Sequence, residues 1–265
     1  MRIVFHVGMG KTGTSSLQST LARNRIVLER AGVIYPKMDN GSTHQLLSAI
    51  AKPYEARPRG LDHLSVEDWR LAQDKVKAAI VDSASRRPSV ILFSTEYALD
   101  FREDGQQLLR TLFEVFTHDI SVVVWLRDPI DYYRSFINQR AKPVGNPSRD
   151  RGAPDPRKFS PGLRKRVNRL RSVWPSVSIN LYDRKQMIEG NIISDFVYRA
   201  LPEARGIDFT IHHRNADPAP PISDECRATL CASCQDDIAF LFETFGNAFT
   251  HTGMSVVQLH SDRGY

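Results

Sequence analysis

The chain has 265 residues, of which 41% are apolar, 9% aromatic and 25% charged. That composition excludes collagen-like, disordered-tail and mini-protein readings, and it fits a domain with a sizeable core. No run approaches 18 apolar residues, and Met1 leads directly into Ile3-Val4-Phe5 without the pattern of a secretory leader, so a soluble, cytoplasmic protein with no transmembrane segment is expected. The net charge of +6 is concentrated: Arg140 to Arg171 holds eleven Lys or Arg against Asp150 and Asp155, an excess of nine positive charges, and the rest of the chain is three negative. Such a patch suits an anionic ligand or acceptor, with a solvated basic face as the plainer alternative.

Arg2 to Val7 reads as a strand, Gly8 to Gly13 as a glycine-rich turn, and Thr14 to Ala31 as a helix burying Leu17, Leu21, Ile26 and Leu28, stopped by Gly32. Val33 to Tyr35 is a short strand closed by Pro36, and Thr43 to Ala51 a helix in a loop-rich stretch. Ser65 caps a longer helix carrying Trp69, Leu71, Val76 and Ile80. The apolar runs Ser89 to Ser94 and Ile120 to Leu126 read as strands buried on both faces, with a helix from about Asp104 to Phe116 between them. Asp128-Pro129 opens another helix. A proline-rich basic loop follows at about 141–160, then a helix from Ser160-Pro161 with Leu163, Val167 and Leu170 on one stripe. Val177 to Tyr182 is a strand, Arg184 to Leu201 is helical, and Ser223 to Phe245 is an amphipathic helix within a helical C-terminal region at about 222–265.

Strands alternating with helices imply an α/β three-layer sandwich with a central, mostly parallel sheet, here in a single domain spanning 1–265. In such sheets ligands gather at the carboxyl ends of the strands. Each motif below directly follows an expected strand.

The first is Gly8-Met9-Gly10-Lys11-Thr12-Gly13-Thr14-Ser15-Ser16. A glycine turn between strand and helix wraps backbone N–H groups around a phosphate; Lys11 adds a full charge, and Thr12, Thr14, Ser15 and Ser16 add hydroxyl donors. The nucleotide-triphosphate pattern would put a lysine at position 14, where this chain has Thr14.

Lys11-Thr12-Gly13-Thr14-Ser15-Ser16-Leu17-Gln18 after a strand resembles the 5′-phosphosulfate loop of sulfotransferases that use 3′-phosphoadenosine 5′-phosphosulfate (PAPS). A second segment, from Arg127 through Pro129 to Ser135, is similar to that family's 3′-phosphate signature, and an arginine fork suits a phosphate on physical grounds too. The resemblance spans about residues 1–200. It implies a P-loop-type fold, PAPS as co-substrate, adenosine 3′,5′-bisphosphate as product and no metal requirement. It assigns the 5′ end to Gly10, Lys11, Thr12, Gly13, Thr14, Ser15 and Ser16, the 3′-phosphate to Arg127 and Ser135, and stabilisation of the leaving oxygen to Lys11.

Sulfuryl transfer to a hydroxyl needs a base within reach of the acceptor. Glu96, ending Ser94-Thr95-Glu96 after an expected strand, is the first choice, and its position is similar to that of a carboxylate in bacterial relatives; His44 is the second, as base or substrate contact. His6 reads as core. Cys226, Cys231 and Cys234 are three in number and crowded together, which argues against a disulfide framework and for a reducing compartment. Their spacing lacks a fourth ligand for zinc. The acceptor class is a hydroxyl compound such as a carbohydrate or lipid head group, and no nucleic-acid partner is expected. The competing readings are a P-loop kinase or ATPase, with Asp128 at magnesium, and a non-catalytic polyanion binder acting through the basic segment.

Overall fold

The computed structural model describes residues 1–39, 41–141, 153–211 and 220–249. In chain order the elements are β1 (Arg2–Val7), α1 (Thr14–Arg23), α2 (Arg25–Arg30), β2 (Val33–Ile34), α3 (Ser48–Ala51), α4 (Val66–Ser85), β3 (Val90–Thr95), α5 (Glu103–Glu114), β4 (Ile120–Leu126), α6 (Pro129–Ala141), α7 (Leu163–Val173), β5 (Val177–Leu181), α8 (Ile192–Ala200), α9 (Asp224–Ser233) and α10 (Gln235–Phe245). The chain packs as two compact units, one of Met1–Leu126 with Arg166–Ala216, the other of Arg127–Lys165 with Asp217–Tyr265.

The first unit holds a five-stranded sheet in the order β2-β3-β1-β4-β5, parallel at every pairing. The fold is therefore α/β with helices on both faces of a parallel sheet. Alternate strand residues face opposite layers. Val4, Leu92 and Trp125 join Leu17, Leu21, Ile192 and Phe196 of α1 and α8. Phe5 and Phe93 instead pack on Phe113 of α5, and Phe5 also meets Trp174. The strands are apolar along nearly their whole length because both faces are covered.

The strand order sets where a ligand can enter. From β1 the chain travels to the far edge strand β2, whereas from β3 it passes to the opposite side of β1 to form β4. Right-handed crossovers then place the helices after β1 and after β3 on opposite faces, in agreement with the two packing layers. The carboxyl end of β1 is thus a topological switch point, the place where such sheets leave a crevice. The glycine loop begins there, and Glu96 follows the carboxyl end of the neighbouring strand β3.

Several local expectations change. The helix expected over Thr14 to Ala31 breaks at Asn24, whose side chain bonds Thr20 O and Thr210 O at 2.7 and 3.1 Å and accepts from Thr210 N. The break turns Ile26 outward, 70% exposed, and Leu71 on α4 is likewise 47% exposed. The Thr43 to Ala51 segment is a 3-10 turn, Gln45–Leu47, followed by the four-residue α3. Only Ile192–Ala200 of the expected Arg184 to Leu201 stretch is α-helical, and the Ser223 to Phe245 helix is two helices meeting at Cys234. The cap on α4 is as read, a full capping box between Ser65 and Asp68. Among the described residues no helix is long and apolar enough to cross a membrane. Of the basic proline-rich loop, residues 142–152 lie outside the described residues, as do 250–265 of the C-terminal region.

Candidate functional site

The glycine loop leaves β1 tightly held. Gly8 N donates to Thr95 O of β3 at 2.9 Å, and a Cβ on Gly8 would stand 2.6 Å from Thr14 Oγ1 and 3.3 Å from the α-carbon of Glu96. Glycine is therefore required for the close approach of loop, helix start and β3 end. Lys11 and Gly13 both adopt left-handed backbone, at φ 66° and 73°. For a lysine that conformation is strained, and strain of this kind collects in ligand-binding turns. A Cβ on Gly13 would also meet Ile192 at 2.9 Å.

The hydroxyls divide in an unexpected way. Thr12 Oγ1 donates to Met9 O at 2.7 Å and Thr14 Oγ1 reaches the same carbonyl at 3.3 Å. Both side chains are buried, so they brace the loop from inside, and their contribution toward an anion is through backbone N–H. Ser15 is exposed and Gly10 half-buried, while Ser16 is almost covered at the start of α1. Gly13 is the N-cap of α1 and brings no side-chain acceptor. Together with the ammonium of Lys11, the first amides of a ten-residue helix make a donor set suited to a phosphate-type oxyanion.

Glu96 is the first residue beyond β3 and opens a 3-10 turn, Tyr97–Asp100. It reaches solvent, yet burial raises its carboxyl pKa above the usual range, with Lys11 acting to lower it and Asp100 to raise it. A carboxyl with its pKa raised at the carboxyl end of a parallel sheet strand is suited to accept a proton. The loop's lysine and the carboxylate are close enough to feel each other's charge. Tyr97, which sequence reading passed over, bonds the Gly60 backbone through its hydroxyl, and burial followed by the Glu96 charge raises its pKa. Its one sequence signal is adjacency to Glu96.

His44 is placed differently. It is wholly buried, its Nε2 donates to Pro36 O at 2.7 Å, and its Nδ1 accepts from Ser94 N at 2.9 Å. A carbonyl only accepts and an amide only donates, so the ring is the neutral Nε2–H tautomer. Burial lowers its pKa to about 4. Neither nitrogen is left to take a proton from an acceptor. His6 lies in the core as expected, its Nδ1 2.8 Å from Ser94 Oγ and its pKa lowered by burial to about 3.

In the second unit Arg127 directly follows the last residue of β4 and is half-buried; Ser135, also half-buried, lies about two turns into α6. Asp128 caps that helix, its Oδ1 accepting from Ile130 N at 2.7 Å and Asp131 N at 3.2 Å. Part of the basic segment is committed to protein contacts. Arg164 pairs with Asp236 and Glu243 at 2.8 and 2.6 Å, Arg166 with Asp100 at 3.1 Å, and Arg169 donates to Phe101 O. Cys234 is buried with its Sγ 3.3 Å from Phe159 O; among the described residues no cluster of three His, Cys, Asp or Glu groups fit to hold a metal occurs.

No protein-family model matches this chain, and no curated protein matches it.

Proposed function

We propose that this protein is a PAPS-dependent sulfotransferase, transferring a sulfuryl group to a hydroxyl acceptor such as a carbohydrate or a lipid head group. The observation that carries the reading is the strained glycine loop carrying Lys11 at the end of β1, packed directly against the end of β3, where the Glu96 α-carbon lies 3.3 Å from the point a Cβ on Gly8 would occupy. The resemblance of the loop and of the Arg127 to Ser135 segment to the family's signatures supports it independently.

PAPS would supply an activated sulfuryl group on a good phosphate leaving group. The acceptor oxygen forms the new O–S bond, the bridging S–O bond breaks, and the acceptor's proton passes to a carboxylate oxygen of Glu96. A carboxyl group with raised pKa holds that proton better than an ordinary glutamate. Lys11 and the amides around Gly13 receive the charge that grows on the departing oxygen, a stabilisation strongest when the donors are fixed beforehand. Arg127 and Ser135, by the resemblance, take the 3′-phosphate. The transferred group carries less charge than a phosphoryl group, so a lysine and backbone donors suffice where kinases use magnesium. Three free cysteines suit a reducing compartment and hence the cytoplasm.

Isothermal calorimetry in EDTA tests the reading. Adenosine 3′,5′-bisphosphate should bind about tenfold or more tightly than AMP, because a charge-assisted contact to a second phosphate is worth roughly 1.5–3 kcal/mol. Equal affinity for AMP, or a magnesium requirement, would favour a kinase.

A further inference from the structure

Strand β2 is only two residues long and pairs with β3 at Val90 and Ile91 alone. Beyond Ile91 no strand among the described residues lies beside the outer edge of β3, although its N–H and C=O groups still point that way at every second residue. Val90 N uses this side to bond Gly32 O at 3.1 Å, and Ser94 lies an even number of residues further along the same edge. At Ser94 the vacant position is filled by one residue. The backbone N of His44 donates to Ser94 O at 3.0 Å, while His44 Nδ1 accepts from Ser94 N at 2.9 Å. One histidine thus supplies both hydrogen bonds that a neighbouring strand would make. The far ring nitrogen is anchored on Pro36 O, and the ring packs against Tyr35 and Phe93 at 4.3 and 5.6 Å between centroids. Two more groups converge on the same residue: Gln18 Nε2 from α1 donates to Ser94 O at 3.1 Å, and His6 Nδ1 meets Ser94 Oγ.

We infer that His44 is a positioning residue which completes the sheet edge at Ser94 and thereby fixes the carboxyl end of β3, so that Glu96, two residues beyond Ser94, is held against the glycine loop. The inference rests on Glu96 being the proton-accepting group, but the geometry it asserts exists in the free chain. On its inner edge the end of β3 is held by β1, with Gly8 N bonded to Thr95 O; without a hold on the outer edge as well, a carboxylate just beyond it would sample more positions, and its coupling to a lysine on the adjacent loop would weaken. A base misplaced by an ångström loses much of its effect. A histidine suits the position because one ring offers an acceptor and a donor on opposite sides with few rotamers to freeze.

The test is NMR on the full chain without ligand. In uniformly 15N-labelled protein, a scalar coupling across the hydrogen bond between the Ser94 amide nitrogen and His44 Nδ1 is expected; its absence overturns the pairing. The Glu96 carboxyl, assigned through Glu96→Gln, is then titrated in the parent, in His44→Asn, which keeps an acceptor near the Nδ1 position, and in His44→Phe, which keeps the ring and removes both nitrogens. Expected is a Glu96 midpoint displaced by about half a pH unit or more in His44→Phe and restored toward the parent value in His44→Asn. An unchanged midpoint in His44→Phe overturns the inference. Should His44→Phe not fold, Gln18→Leu, which removes the side-chain bond to Ser94 O, is read the same way, with a displaced midpoint expected and an unchanged one counting against. These readouts need no PAPS and no acceptor, so a failure here and a failure of the calorimetric test are separable.

Discussion

The α-carbon of Glu96 lies 3.3 Å from the point where a Cβ on Gly8 would stand, and Thr14 Oγ1 lies 2.6 Å from it. A single methyl at residue 8 would therefore push the phosphate-type loop, the start of α1 and the candidate base apart together. Gly8→Ala is expected to cost about 1–3 kcal/mol of stability, the range for overpacking a filled site, and to weaken adenosine 3′,5′-bisphosphate binding. Removing the obstructing atoms in Gly8→Ala/Thr14→Ala should return part of the stability in urea denaturation. A Gly8→Ala chain as stable as the parent would show that the loop yields more easily than its contacts indicate.

Lys11 and Glu96 should separate binding from chemistry. Lys11→Ala is expected to weaken adenosine 3′,5′-bisphosphate binding and turnover together, since its charge faces the bound anion throughout. Glu96→Gln should keep that affinity nearly intact and lower turnover roughly 10²-fold or more, as for the loss of a general base. Full activity in Glu96→Gln would remove it from the mechanism. The left-handed backbone at residue 11 adds a stability comparison: Lys11→Gly should be about 1 kcal/mol more stable than Lys11→Ala, because only glycine adopts φ 66° without strain.

What the sequence made legible follows the reach of each interaction. β3 and β4 were readable because burial on both faces writes a continuous apolar run, and the cap at Asp128 because its partners are two and three residues away. The turn from Gly8 to Gly13 and the stop at Gly32 were readable for the same local reason. The role of His44 was not, because it arises from β2 ending after two residues, a fact of sheet geometry with no signature near residue 44. The inward turn of the Thr12 and Thr14 hydroxyls was equally hidden: spacing places a hydroxyl in the loop but does not say which way it points. The exposure of Ile26 followed from the break at Asn24, whose partner at Thr210 is remote in the chain.

Two buried neutral histidines should make the fold sensitive to acid well above the carboxylate range. Folding lowers the pKa of His44 to about 4 and of His6 to about 3, against 6.5 for the free side chain. Below pH 6.5 the unfolded chain takes up protons that the folded chain does not, so stability present at neutral pH is lost as pH falls, until the folded pKa values are passed. From pH 7 to 5 the two groups together should cost about 4 kcal/mol. Urea titrations at both pH values measure this, and His44→Asn should show a visibly shallower dependence than the parent. Equal parent stability at pH 7 and 5 would mean that these rings are protonated in the folded protein.

In the second unit two adjacent acids on α10 should behave oppositely. The Asp237 carboxylate is buried, accepts from Ser160 Oγ at 2.9 Å and Gly162 N at 3.1 Å, and takes the amide of Leu163 as well. It serves as the cap of α7 from a different part of the chain. Asp237→Ala leaves the buried Leu163 amide without its acceptor, while Ser160 and Gly162 can turn to water, and about 1–3 kcal/mol of stability should be lost. Asp237→Asn, which keeps one acceptor oxygen, should lose less. Asp236 also holds a partner, Arg164 at 2.8 Å, but its side chain is mostly exposed and Arg164 retains Glu243. A surface pair of this kind is worth less than about 1 kcal/mol, so Asp236→Ala should be nearly silent. Comparable losses from the two alanine variants would mean that the exposed ion pairs, rather than the buried cap, hold the Ser160 to Arg164 segment to α10.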